Sequence, residues 1–152
     1  MLVAAGDNLF DFALADYAEF WRGKREGSCL ALYEFPDREQ VKQYGVVEVD
    51  ADDRVVSLVE KPEQPKSNLI SIAVYLYRAE HAALLPQYLE EGNSLDQPGH
   101  LPGWLHTRVP VYGYRFEGEW MDIGDPQQLL EADNRMRARV GLEPRGQYSL
   151  AS

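Results

Sequence analysis

Two Val-rich runs, Gly45–Val49 and Arg54–Val59, alternate apolar and polar residues on either side of Asp50-Ala51-Asp52-Asp53. Period-two alternation around an Asp-rich turn predicts an antiparallel β-hairpin. The apolar run that opens the chain (MLVAAGDN) stops at Gly6, which reads as a buried strand, ending over Val3–Ala5, that carries Asp7 to the rim of a sheet. Ala13–Trp21 place Leu14, Tyr17, Ala18 and Trp21 at helical spacing, and Ser28–Phe35 is a strand closed by Pro36. The polar stretch Pro36–Gln43 predicts one or two surface helical turns. Asn68–Tyr77 (NLISIAVYLY) is almost continuously apolar, the pattern of a strand buried on both faces. Glu80–Glu91 predicts one helix with Leu84, Leu85, Tyr88 and Leu89 on one face, ended by Gly92. Asn93–His100 reads as loop and Leu101–His106 as a short helix. Val109–Phe116 alternates again, Gly118 marks a turn, and Trp120–Asp122 follows as a short strand. Pro126 opens a helix over Gln127–Arg139 with Leu129, Leu130 and Ala132 on its apolar side, and Gly141–Ser152 reads as a frayed tail. Strands alternating with helices, plus one antiparallel hairpin, make the fold class α/β with a mixed sheet.

A chain of 152 residues, 45% hydrophobic, suits one folded domain rather than a disordered segment. No apolar stretch approaches the ~20 residues of a membrane helix, and no basic region precedes the opening run as in a signal peptide. With Cys29 the single cysteine, no intrachain disulfide forms, and the expected compartment is a reducing cytoplasm. In its context (SCLALYEF) Cys29 reads as a buried strand residue. A formal charge of −10 argues against nucleic acid and anionic membrane as partners. It leaves room for small anions held by a local Lys, or by paired Asp residues through a divalent cation.

Three stretches carry candidate chemistry. At Gly6-Asp7-Asn8 the glycine permits close backbone approach and Asp7 offers hard oxygen ligands; a helix N-cap or an Asx turn is the structural alternative. In WMDIGDP, Asp125 has an evident role as N-cap before Pro126, whereas Asp122 lies too far from the helix to cap it. Two acids at two strand ends would suit one metal ion if the fold brought them together. At Glu60-Lys61-Pro62 the proline is expected to keep Lys61 extended, so that Glu60 and Lys61 point to opposite sides; a solvated charge pair is the alternative. His81, His100 and His106 have no metal-ligand spacing and are expected at the surface or in caps.

Taken in order, AGDNLFDF, YGVVEVD, SLVEKPEQPKSN, AVYLY and GEWMDIGDPQQLLEADN resemble the sugar-phosphate nucleotidyltransferases of the glucose-1-phosphate thymidylyltransferase type. The resemblance runs from Leu2 to about Arg135. It implies a Rossmann-like nucleotidyltransferase fold for residues 1–140, as the C-terminal, metal and sugar-phosphate part of that domain, with 141–152 as tail. It implies transfer of a nucleotidyl group from an NTP, dTTP or UTP, to a sugar 1-phosphate with release of pyrophosphate. Asp7 and Asp122 would hold Mg²⁺, and Lys61 the sugar phosphate. Glu60 would take a sugar hydroxyl and the Gly45 backbone would border the sugar, with Asn8 and Tyr75 completing the substrate-binding set.

The sequence also departs from that pattern. Ala73 and Val74 stand where the family has a glycine before the aromatic, which implies a tighter sugar pocket, and between Glu80 and Thr107 the resemblance fades. The family's G-x-G-T-R-L-x-P loop does not occur; about a hundred residues normally precede GDN, including the first strands of the central sheet. The expectation is therefore a chain without those N-terminal strands, weakly active or inactive alone, with a homo-oligomer or partner chain covering the exposed sheet edge. A non-catalytic sugar-phosphate-binding or scaffold module completing its sheet in that way is the alternative. A metal-dependent phosphohydrolase using Asp7 and Asp122 ranks lower, because neither a nucleophile nor a general base accompanies them.

Overall fold

The computed structural model describes residues 1–94 and 96–147. Residues 148–152 of the predicted tail, and Leu95 of the predicted loop, lie outside the described residues. In chain order the elements are β1 (Leu2–Ala4), β2 (Asn8–Phe10), α1 (Leu14–Gly23), β3 (Ser28–Glu34), a 3₁₀ turn (Gln40–Gln43), β4 (Gly45–Val49), β5 (Val55–Glu60) and β6 (Leu69–Leu76). They continue with α2 (Ala79–Ala82), α3 (Leu85–Glu90), α4 (His100–Leu105), β7 (Val111–Arg115), β8 (Trp120–Asp122) and α5 (Pro126–Arg139). The chain divides into two compact units: 1–5 with 12–117, and 6–11 with everything from Gly118 on. Among the described residues no helix is long and apolar enough to cross a membrane.

In the first unit β6 is the spine of a mixed sheet ordered β5-β4-β6-β3-β7. One edge of β6 pairs with β4 over Leu69–Ser71 and with β1 over Val74–Leu76, and its other edge pairs with β3; all of these are antiparallel. Among the described residues only β3 and β7 run parallel. Both faces of β6 are covered, Ile70 and Val74 being wholly buried on one and Leu69 and Tyr75 buried on the other, which accounts for its near-continuous apolar sequence. The opening strand departs from expectation. Its residues are exposed rather than buried, because β1 is three residues long and pairs along one edge with β6. The hairpin of β4 and β5 forms as the alternation predicts. Asp50 Oδ1 accepts the backbone N–H groups of Asp52 and Arg54, each at 2.9 Å, and Asp53 adopts φ +64°, a conformation that Asp tolerates better than most residues.

The helix expected over Glu80–Glu91 is two short helices instead. Pro86, which has no N–H to continue the hydrogen-bond ladder, sits in the first turn of α3, and Leu84 N–H closes the preceding turn on the His81 carbonyl. Tyr88 is buried, whereas Leu85 and Leu89 are exposed, so the expected single apolar face is split. The main hydrophobic cluster of the unit gathers Leu30, Leu32, Val47 and Tyr75 from one face of the sheet with Trp104 and Leu105 of α4. Tyr17 of α1 is fully buried beside Phe12 and Tyr114 and donates its hydroxyl hydrogen to the Cys29 carbonyl at 2.7 Å. Cys29 is fully buried, as its strand context indicates, and burial pushes its thiol up to about 12. It is therefore expected to resist a maleimide in mildly alkaline buffer and to react fully once urea unfolds the chain; rapid labelling of the native protein would contradict its placement.

Opposite Leu30–Leu32 the pairing of β3 with β6 slips, and there Ala73 takes φ +55°. Ala73 and Val74 stand where the sequence resemblance expects a glycine, and at Ala73 the backbone has a conformation that glycine favours. A mid-strand Ala→Gly change ordinarily costs about 0.5–1 kcal/mol. Here relief of ~1–2 kcal/mol of left-handed strain offsets that cost, so Ala73→Gly is expected to be neutral or mildly stabilising in urea titration.

The second unit is an antiparallel ribbon of β2 and β8 with α5. Asp125 caps α5 as its position suggests, its Oδ1 accepting the N–H groups of Gln127 and Gln128 at 2.8 Å each. Ala132 is buried, while Leu129 of the predicted apolar side is exposed. The ribbon is braced by Asp11, whose carboxylate accepts Glu119 N–H at 2.7 Å and the Arg139 guanidinium at 2.9 Å.

Candidate functional site

Asp7 and Asp122 come together in the second unit. The register of β2 and β8 sets Asn8 opposite Asp122, and one rung further Ile123 N–H donates to the Asp7 carbonyl at 2.8 Å. Asp7 therefore neither caps a helix nor starts an Asx turn; it is the residue before β2, on the rung next to Asp122. Among the described residues no hydrogen bond or ion pair engages either carboxylate, whereas the neighbouring Asn8 Oδ1 accepts Trp120 Nε1–H at 2.7 Å. Burial raises the Asp122 pKa, and the nearby Asp7 charge raises it further. Asp7 and Asp122 thus offer two carboxylates from neighbouring rungs without a cationic partner, and carboxylate oxygens are ligands of the hard type that suits Mg²⁺. That ion typically takes one or two carboxylates and fills its remaining positions with water and phosphate oxygens. Among the described residues no cluster of three or more acids, histidines and cysteines is placed to hold a metal, so the pair is the whole protein donor set seen.

Glu60, Lys61 and Gly45 meet in the first unit, at the open end of the hairpin. Gly45 opens β4 and stands opposite Glu60, the last residue of β5. The Glu60 carboxylate lies between two glycine backbones. A Cβ on Gly45 would come within 2.8 Å of Glu60 Oε2, and a Cβ on Gly99 would overlap the same oxygen. Half-burial raises the Glu60 pKa, and Lys61 and His100 partly offset this. Lys61 is not extended as expected: its φ is +47°, and its N–H donates to the Tyr44 carbonyl at 3.0 Å. That bond prolongs the β4–β5 ladder by one step, and the chain then leaves through a left-handed residue before Pro62. Such a conformation costs roughly 1–2 kcal/mol in a non-glycine residue. The Lys61 side chain is exposed, within Coulomb reach of Glu60.

The remaining expectations divide. Tyr75 is buried in the core and lines a cavity of about 270 Å³ with Met1, Val3, Tyr77 and Leu101, whereas Glu60 lines another of about 520 Å³ with His100, Asn93 and Trp104. His81, expected at the surface or in a cap, is buried; its Nδ1 lies 2.8 Å from Ser28 Oγ, which also accepts Arg78 N–H. With Ser28 wholly enclosed, this Ser–His pair is a structural tie between β3 and α2. His100 was legible only as a loop histidine. The signal that could have placed it beside Glu60 is Gly99, since glycine is what so close a carboxylate requires.

The family model for nucleotidyl transferases matches residues 1–139. The chain belongs to the nucleotidyl transferase family. A glucose-1-phosphate adenylyltransferase of Clostridium acetobutylicum is 29% identical over 140 residues, which is 88% of this chain and 36% of that protein. The homologous enzyme of Clostridium novyi is 27% identical over 139 residues, covering 88% of this chain and 35% of that one. The chain thus spans about a third of the length of these curated relatives. Among solved structures, a UDP-glucose pyrophosphorylase complexed with UDP-glucose superposes with a TM-score of 0.76 at 23% identity, over 91% of this chain and 56% of that one. These likenesses establish that the mixed α/β architecture is the nucleotidyltransferase fold.

Proposed function

We propose that this nucleotidyl transferase family member acts on a sugar 1-phosphate and an NTP, forming an NDP-sugar and pyrophosphate. The observation that carries the reading is the bare, like-charged pair Asp7 and Asp122 on adjacent rungs of one ribbon. In the reaction a phosphate oxygen of the sugar 1-phosphate bonds to the α-phosphorus of the NTP. The bond from that phosphorus to the bridging oxygen breaks, and pyrophosphate leaves with the electron pair. Phosphoryl-type transfer asks a protein chiefly for positioning and charge neutralisation. Asp7 and Asp122 would hold Mg²⁺, which when bound neutralises charge on the phosphates. Lys61 supplies the cation for the phosphate of the sugar, Glu60 accepts a sugar hydroxyl, and Gly45 leaves room beside it.

Glucose 1-phosphate is the first sugar to test, because the curated relatives are adenylyltransferases of that compound. Dependence on UTP or dTTP, and a cytoplasmic setting, belong to the same proposal. Family membership favours this reading over a non-catalytic module. Calorimetric titration of the chain with glucose 1-phosphate tests it. Saturable binding is expected, weakened about tenfold or more in Lys61→Ala, the loss typical of removing a hydrogen bond between charged partners. Absence of binding by the folded wild-type chain would overturn it.

A further inference from the structure

We propose that His100 acts with Glu60 to read the hydroxyl stereochemistry of the sugar, so that α4 determines which hexose 1-phosphate this chain accepts. The inference rests on the reading of Glu60 as a hydroxyl acceptor and adds the residue that faces it. Glu60 is carried by the strand motif shared with the family, whereas His100 lies in Glu80–Thr107, where the resemblance fades. An acceptor from the recognisable motif therefore faces a residue from outside it.

The cavity of about 520 Å³ is floored by Leu58 and Glu60, and walled by Tyr88, Asn93, His100 and Trp104. Most of its polar edges are already engaged within the protein. Asn93 Nδ2 donates to the Tyr88 carbonyl at 2.9 Å, the Tyr88 hydroxyl to the Ser94 carbonyl, and Trp104 Nε1 to Glu91 Oε2 at 2.7 Å. Arg108 stacks over the Trp104 ring at 4.0 Å, and Tyr88 meets it edge-on, which fixes the aromatic wall. Among the described residues no hydrogen bond engages the side chains of Glu60 or His100. These two are left to meet a ligand.

Their chemistry is complementary. A carboxylate only accepts, whereas a neutral imidazole offers one donor and one acceptor, so together they can fix the orientation of two hydroxyls. Their separation is set by backbone contact. Gly99 abuts the Glu60 carboxylate immediately before His100, and Gly103 brings the next turn of α4 onto Leu58, where a Cβ would lie 3.5 Å from the Leu58 side chain. A site held this rigidly rejects an epimer by leaving one of its polar groups unpaired.

The experiment is titration of the chain with glucose 1-phosphate, with galactose and mannose 1-phosphates, each of which differs from it by inversion of one ring hydroxyl, and with inorganic phosphate. Wild type is expected to favour one epimer by about tenfold or more. His100→Ala is expected to bring the epimers within about threefold of one another, leaving affinity for inorganic phosphate within about twofold. His100→Gln, which keeps a donor and an acceptor, is expected to retain part of the preference and guards against a folding artefact in the alanine variant. Equal binding of the epimers by wild type, or an unchanged preference in His100→Ala, would overturn the role of His100 while the proposed function stands. Absence of sugar 1-phosphate binding by folded wild type would overturn both.

Discussion

Arg78→Ala is expected to destabilise the chain by about 3 kcal/mol, the largest loss from any single side chain outside the hydrophobic core. Arg78 follows β6 and reaches back to the end of α1. Its Nε donates to the Gly27 carbonyl at 3.1 Å, and its Nη2 to the carbonyls of Trp21 and Lys24 at 3.0 Å each. The guanidinium also lies over the Trp21 ring at 4.1 Å. The last carbonyls of a helix have no partner within it, and a cation there meets both the orphan acceptors and the negative end of the helix dipole. Charge-assisted hydrogen bonds contribute about 1.5–3 kcal/mol each when isolated, but these share one partly exposed group and the freed carbonyls regain some water, so the sum is well below threefold that value. Arg78→Lys is expected to recover only a minor part, since a single ammonium cannot span three carbonyls that a planar fork reaches together. Urea unfolding measures both variants; a loss under about 1 kcal/mol in Arg78→Ala would refute the bracing role.

Little of this brace is visible in the primary structure, and the reason is general to the chain. Elements whose partners lie close in sequence announce themselves: the β4–β5 hairpin by alternation around four turn residues, and α5 by Asp125-Pro126 before it. The doubly covered β6 is equally plain from composition alone. The strand β2 is not, because three residues carry no period and its partner β8 lies more than a hundred residues away. Distance along the chain, though shorter here, likewise hides the approach of Gly99 to Glu60, although two glycines flanking one carboxylate are a physical requirement once the fold is known. Lys61 misleads for a different reason. The residue before a proline is biased toward extended backbone, but here the hydrogen bond to Tyr44 and the turn out of the sheet outweigh that local preference. Asp7 and Asp122 were identifiable as acids at strand ends, and the register of one short ribbon is what makes them neighbours.

That neighbourhood supports the second large expected effect. Asp7→Ala and Asp122→Ala should each weaken Mg²⁺-dependent NTP binding by at least about a hundredfold, and the double variant should be hardly worse than either. Non-additivity follows from the donor set: with two carboxylates, loss of one leaves too few protein ligands to hold the ion. Titration of UTP and dTTP with and without Mg²⁺ reads the effect; equal losses in the absence of Mg²⁺ would argue for a fold defect instead. Stability supplies an independent check. At neutral pH two adjacent unpaired carboxylates oppose folding, because the raised Asp122 pKa marks a charge that is more costly in the native state than in the unfolded chain. Removing that charge should therefore help. Asp122→Asn is expected to unfold at a slightly higher temperature than wild type in metal-free buffer. Added Mg²⁺ should raise the wild-type midpoint and leave that of Asp122→Asn almost unmoved, closing or reversing the gap. A ribbon whose acids served only structure would show the opposite order, with Asp122→Asn less stable than wild type and neither protein responding to the ion.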